Sequence, residues 1–167
     1  MSSEKIFNFV VDKDNLRVTI ERSFDAPRDL VWAAWTEAEL LDQWWGPKPC
    51  RAETKSMDFS EGGRWLYAMV IPGVGKKWDS KSFLKIDPKD SFTYRSAFCD
   101  ENGIVAPETK SSVWVNSFTE RDGVTVVTNV ITNDSLERLE LMIQMGFKEG
   151  YTAGLDQLEE LLADLQK

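Results

Sequence analysis

The stretch Asp134–Leu165, DSLERLELMIQMGFKEGYTAGLDQLEELLADL, decides how the chain folds. Its apolar residues fall on two neighbouring ridges at i, i+4 spacing. Leu139, Ile143, Phe147, Tyr151 and Leu155 form one; Met142, Gly146, Gly150, Gly154, Leu158 and Leu162 form the other. Asp134 and Glu137 stand at capping-box spacing, and no proline follows them. The pattern predicts one continuous amphipathic helix, about 45 Å long at ~1.5 Å per residue. Such a rod crosses a whole sheet. Three glycines on its apolar face each cost about 1 kcal/mol relative to alanine. Either a sheet approaches the helix closely there, or space is left open beneath it.

Working back toward the N-terminus, the chain supplies the sheet. Phe7, Phe9 and Val11 alternate with polar residues, and Leu16, Val18 and Ile20 resume that period after an Asp/Asn cluster, as in a strand or hairpin. Asp25-Ala26-Pro27 opens a short helix, with proline where its missing N–H costs nothing. Thr36 and Glu39 have capping-box spacing and predict a second short helix, ending at Gly46-Pro47. About six strands follow: Arg51–Phe59, one carrying Trp65, Tyr67 and Met69, Lys77–Ile86, one carrying Phe92, Tyr94, Ser96 and Phe98, then Val113–Phe118 and Val124–Ile131. Turn signals at Glu61-Gly62-Gly63, Pro72-Gly73, Asp87-Pro88-Lys89-Asp90 and Arg121-Asp122-Gly123 separate them. Gly62-Gly63 lacks the following helix of a phosphate nest and reads as a hairpin turn. The order predicts an α+β helix-grip fold: a curved antiparallel sheet wrapped around the C-terminal helix, with two short helices after the first strand.

Composition narrows the function. The 167 residues suit one domain, 1–167, with a substantial core. A formal net charge of −8 and the lack of a basic stripe argue against nucleic acid as partner. No apolar run spans a bilayer. Met1-Ser2-Ser3-Glu4-Lys5 opens no signal peptide, and two distant cysteines make no disulfide framework, so a cytoplasmic location is expected. The chain contains no histidine, which removes Ser/His and Cys/His nucleophiles and the commonest metal ligand. Neither a metal nor a cofactor is expected.

Phe24-Asp25-Ala26-Pro27, Val31-Trp32, Ala34-Trp35-Thr36, Trp44-Trp45-Gly46-Pro47, Met57-Asp58-Phe59, Gly62-Gly63-Arg64-Trp65 and Met69 resemble segments of a known family. So does Met145-Gly146-Phe147-Lys148-Glu149-Gly150-Tyr151, followed by Leu155 and Leu158. The chain is similar along nearly its whole length to bacterial single-domain relatives of the heat-shock protein 90 ATPase activator, within the START-like (SRPBCC) superfamily. That resemblance implies the helix-grip fold. Carriers, receptors, enzymes and co-chaperone modules all occur in the superfamily, so function must be argued from the site.

The expected site lies between sheet and helix. Its candidate ligand-binding residues are Trp45, Met57, Trp65, Tyr67, Met69, Tyr94, Phe98, Trp114, Phe118, Phe147, Gly150 and Tyr151. An apolar pocket with a few Tyr and Trp polar handles suits a small hydrophobic or aromatic molecule bound without covalent chemistry; a dry, filled core is the competing reading. Trp44 and Trp45 cannot both bury on one face of a regular helix; packing of both in the core and elbow is the favoured reading, and one in the core with the other over the cavity mouth is the alternative. A cyclase or dehydratase, permitted by the resemblance, would rest on Asp58, Tyr67 and Tyr94 as acid/base groups. Asp58 is expected to cap a turn or to pair with Arg64 or Arg95. A chaperone partner ranks last, because the resemblance reaches only the C-terminal type of domain of that activator. Glu137, Arg138 and Glu140 are expected to be solvated surface.

Overall fold

Strict alternation along the strands produces one wet and one dry face, and the dry face determines the architecture. In β2 (Arg17–Phe24) every second residue, from Val18 to Phe24, is buried. In β8 (Val124–Asn133) the buried set runs Thr125, Val127, Asn129, Ile131 and Asn133. The computed structural model describes residues 5–167; Met1–Glu4, which include most of the segment expected to carry no signal peptide, lie outside the described residues.

The remaining strands are β1 (Phe7–Asp12), β3 (Arg51–Met57), β4 (Arg64–Ile71), β5 (Gly75–Asp87), β6 (Ser91–Cys99) and β7 (Ser112–Arg121). They form one eight-stranded sheet in the order β1-β2-β8-β7-β6-β5-β4-β3, antiparallel throughout. Two short helices, α1 (Arg28–Thr36) and α2 (Ala38–Trp44), follow β2. Pro27 stands one residue before α1 rather than inside it. Thr36 does not cap α2: its hydroxyl donates back to the Trp32 carbonyl at 2.8 Å, and Glu37 takes the cap position without a side-chain bond.

The C-terminal stretch departs from the single rod that its periodicity predicts. It forms α3 (Leu136–Gln144) and α4 (Phe147–Leu165), separated at Met145-Gly146. Gly146 has φ +81°, a left-handed conformation that glycine adopts without steric cost. The predicted Asp134/Glu137 box is not formed either. Asp134 is drawn to the 110s loop, where its carboxylate accepts from the Ser111 N–H (2.9 Å) and hydroxyl (2.7 Å). Ser135 caps α3 instead, accepting from the Arg138 N–H at 3.1 Å.

The core sits between the sheet, α1, α2 and α4. Val18, Ile20, Phe24, Val31, Trp35, Trp44, Phe118, Ile131, Leu155, Leu158 and Leu162 are all buried there. Arg22 points inward from β2, and its guanidinium reaches Asp156 of α4 at 2.8 Å. Bulges at Thr54/Ser56 in β3 and Phe83/Lys85 in β5 bend that side of the sheet. Together this is a helix-grip α+β fold. Among the described residues no helix is long and apolar enough to cross a membrane.

Candidate functional site

The three glycines on the last helical stretch have three separate causes. Gly146 is the joint between α3 and α4. At Gly154 a Cβ would lie 3.4 Å from the Trp44 carbonyl oxygen, so the backbone at the C-terminal end of α2, not the sheet, makes the close approach. Gln157, one turn on, fixes that approach by donating to the Trp44 and Gly46 carbonyls at 3.1 and 2.8 Å and accepting from the Lys48 N–H at 2.8 Å. At Gly150 a Cβ would meet only Pro47, at an ordinary 3.6 Å. Gly150 borders open space.

That space is a cavity of about 370 Å³ between the sheet and the α3–α4 joint. Of the predicted residues, Trp45, Tyr67, Met69, Phe98, Trp114, Phe147, Gly150 and Tyr151 line it. Trp114 lies edge-on to Tyr151 (5.6 Å) and Phe147, and Phe147 stacks on Tyr151 at 5.1 Å. Trp45 contacts Trp65, Trp114 and Tyr151, with centroids 5.6–6.0 Å apart. Both tryptophans of the Trp44-Trp45 pair are buried and both border the cavity. Trp44 is tied to the core through its indole N–H on the Ala34 carbonyl, while Trp45 donates to the Tyr67 hydroxyl at 3.0 Å.

Four predicted residues do not line the cavity. Phe118 is buried deeper, among Trp32, Trp35 and Phe92. Tyr94 lies beneath Trp114, stacked at 5.6 Å. Trp65 stacks on Tyr67 at 4.2 Å and donates to Thr54, forming the layer behind the wall. Met57 follows the β3 bulge and packs against the core at the far end of that strand. Asp58 is exposed at the turn after β3, where it accepts from the Ser60 hydroxyl at 2.7 Å. Neither arginine reaches it: Arg64 donates to the Gly103 and Asn102 carbonyls, and Arg95 to Ser111 and Asp134.

The charged groups of the cavity escaped the sequence reading. Lys81 is 2% exposed, and its Nζ donates to Asp79 Oδ2 at 2.8 Å and Ser96 Oγ at 2.9 Å. Tyr67 also donates to Asp79 Oδ2, at 2.8 Å. Five rings surround the ammonium at 5.1–5.9 Å: Trp45, Trp65, Tyr67, Tyr94 and Trp114. Burial pulls the Lys81 pKa below its ordinary value even though the Asp79 charge opposes that shift. The signal for Lys81 was present in β5. It lies two residues before the buried Phe83, and therefore on the same face. Arg138, expected at the surface, lines the cavity from α3, one turn before Met142. Burial lowers its pKa, against the opposing charges of Asp79 and Asp134.

A family model described as activator of Hsp90 ATPase homolog 1-like protein matches residues 25–163. The chain belongs to this family. As a member of the activator of Hsp90 ATPase homolog 1-like family, it is similar to a crystal structure of a protein from Mycobacterium smegmatis at 30% identity and a TM-score of 0.85, covering 97% of this chain and 99% of that one. A solution structure from Arthrobacter aurescens is similar at 27% identity and a TM-score of 0.87, covering 94% and 91%. The family fold is also shared by the AHSA1 protein of Silicibacter pomeroyi, at 21% identity and a TM-score of 0.70 over 90% and 99% of the two chains. Comparison with curated protein sequences gives no match.

Proposed function

We propose that this member of the family binds a small hydrophobic, aromatic-bearing molecule in the cavity between the sheet and the α3–α4 joint, without covalent chemistry. One observation carries the reading: about 370 Å³ of space, walled by Trp45, Trp114, Phe147 and Tyr151, remains open beneath a glycine whose side chain would fit. Protein interiors are otherwise filled to crystal density, and ligand sites are apolar concavities with few polar groups. The candidate acid/base groups favour binding over turnover. Asp58 is exposed away from the cavity, and burial holds Tyr67 and Tyr94 firmly protonated.

A thermal-shift screen against aromatic polyketides, fatty acids and other hydrophobes tests this reading, with the buried tryptophans as reporters. A ligand at 100 times its dissociation constant stabilises by about 2.7 kcal/mol, a rise of roughly 5–10 °C in midpoint for a chain of this size. The expected result is a specific shift that disappears in Gly150→Leu, whose side chain occupies the space. If no compound shifts the midpoint, the reading falls, and co-sedimentation with the heat-shock protein 90 chaperone becomes the next measurement, as the family description suggests.

A further inference from the structure

Among the described residues three charged side chains line the cavity: Asp79, Lys81 and Arg138. Lys81 and Asp79 neutralise each other at 2.8 Å. Arg138 has no carboxylate within ion-pair distance among the described residues. It donates from Nη1 to the Lys110 carbonyl at 3.0 Å and lies over the Phe98 ring at 5.2 Å, which leaves most of its five N–H donors unused by other side chains. The lining therefore carries a surplus positive charge, in a chain whose net charge is −8.

Unused hydrogen-bonding capacity points to the same place. An ammonium has three donors, and Lys81 gives two of them to Asp79 and Ser96. Lys81 pairs with Ser96 across β5 and β6, and Ser96 pairs with Ser112 across β6 and β7, so the three form one row on the cavity face. Ser112 is 1% exposed, lines the cavity, and its hydroxyl oxygen has no hydrogen-bond partner. A buried polar atom without a partner is costly, and a ligand oxygen accepting from it removes that cost. The rest of the wall, from Pro47, Met69 and Ile71 to Met142 and Phe147, is apolar.

Building on the ligand-binding reading above, we infer that the ligand is an aromatic carboxylate, its oxyanion at the Lys81–Ser112–Arg138 end and its rings against Trp45, Trp114 and Phe147. The oxyanion matches the surplus charge and accepts the unused N–H and O–H donors. A guanidinium suits it best, because its fork of donors fits a carboxylate bidentately. A cationic ligand would meet the surplus positive charge of the lining.

Calorimetric titration with three probes of one shape tests the inference: 2-naphthoate, neutral 2-naphthamide and 2-naphthylmethylammonium. The expected result is naphthoate binding at least about tenfold more tightly than naphthamide, with the cation weakest. Arg138→Gln should erase the preference for naphthoate over naphthamide, costing naphthoate at least about tenfold more than naphthamide, and Arg138→Lys should restore part of that preference. Arg138 is half-buried on α3 rather than in the core, so both variants keep the fold. Equal affinity for naphthoate and naphthamide, or an equal loss of both in Arg138→Gln, would overturn the anionic assignment and leave the cavity a neutral-ligand site. Failure of all three probes to bind would overturn the aromatic-carboxylate assignment alone; the binding reading falls only if the thermal-shift screen also finds no ligand.

Discussion

The Tyr151 hydroxyl donates to Asn129 Oδ1 at 2.6 Å, and Asn129 in turn donates to Asn116 at 2.7 Å. This buried chain of amides joins α4 to β8 and β7 directly below the cavity. Tyr151→Phe keeps the ring stack with Phe147 but leaves the Asn129 oxygen without its donor. We expect a loss of about 1–3 kcal/mol, read as a lower urea midpoint at unchanged slope. An unaltered midpoint would mean that water takes over the bond.

Gly150 and Gly146 should respond to alanine with opposite signs. Gly150 is the fourth residue of α4, with room for a methyl group, so Gly150→Ala should gain about 0.5–1 kcal/mol from helix propensity. Gly146 holds φ +81°, where a Cβ is strained, and Gly146→Ala should lose about 1 kcal/mol or more. Thermal unfolding of the two variants side by side decides the point, and equal signs would contradict these assignments.

Removing one member of the buried ion pair should harm the fold more than removing its charge altogether. Lys81→Met leaves the Asp79 carboxylate, 15% exposed, without its cation, for an expected loss of about 3–5 kcal/mol. Adding Asp79→Asn to Lys81→Met should recover much of that loss. A double-mutant cycle by chemical denaturation measures the coupling. Additive losses would show that the two charges do not depend on each other.

All three tyrosines of the chain are buried, and burial is the leading cause that holds each pKa well above the ordinary value of 10.0. The folded protein keeps phenolic protons that the unfolded chain would release, so this stability is intact below pH 10 and is lost as pH rises beyond it. Lys81 acts in the opposite direction: its lowered pKa makes stability rise with pH up to its ordinary value of 10.5. Three phenols outweigh one amine above that point. Phenolate absorbance should therefore stay absent from the native protein through pH 10 and appear only together with loss of far-ultraviolet ellipticity. Titration of a tyrosine near pH 10 in a folded sample would refute this.

The architecture was legible because it rests on periodicity. Two-residue alternation placed the strands, turn residues separated them, and the spacing from Leu139 to Leu162 marked the final helices. The break at Gly146 was less visible, because a glycine in register with the apolar face looks the same whether it packs or bends. Most of the cavity's aromatic wall followed from strand parity. Trp65, Tyr94 and Phe118 lie one layer behind the cavity wall, since parity distinguishes faces but not depth, and Met57 was displaced by a bulge. Lys81 and Arg138 were passed over for a physical reason: charged side chains are rarely buried unless paired. Lys81's partner, Asp79, stood only two residues away on the same strand.

The division of labour along α4 has an evolutionary consequence. Its C-terminal turns carry Leu155, Leu158 and Leu162, which close the core, while its first turns carry Phe147, Gly150 and Tyr151, which bound the cavity. Gln157, in the core-closing half, fastens the helix to the Trp44 and Gly46 carbonyls at the end of α2. Cavity shape and core closure therefore fall on separate turns of a single element. Descendants of such a chain can re-tailor the chamber by substitutions in one half of the helix while inheriting its anchorage unchanged.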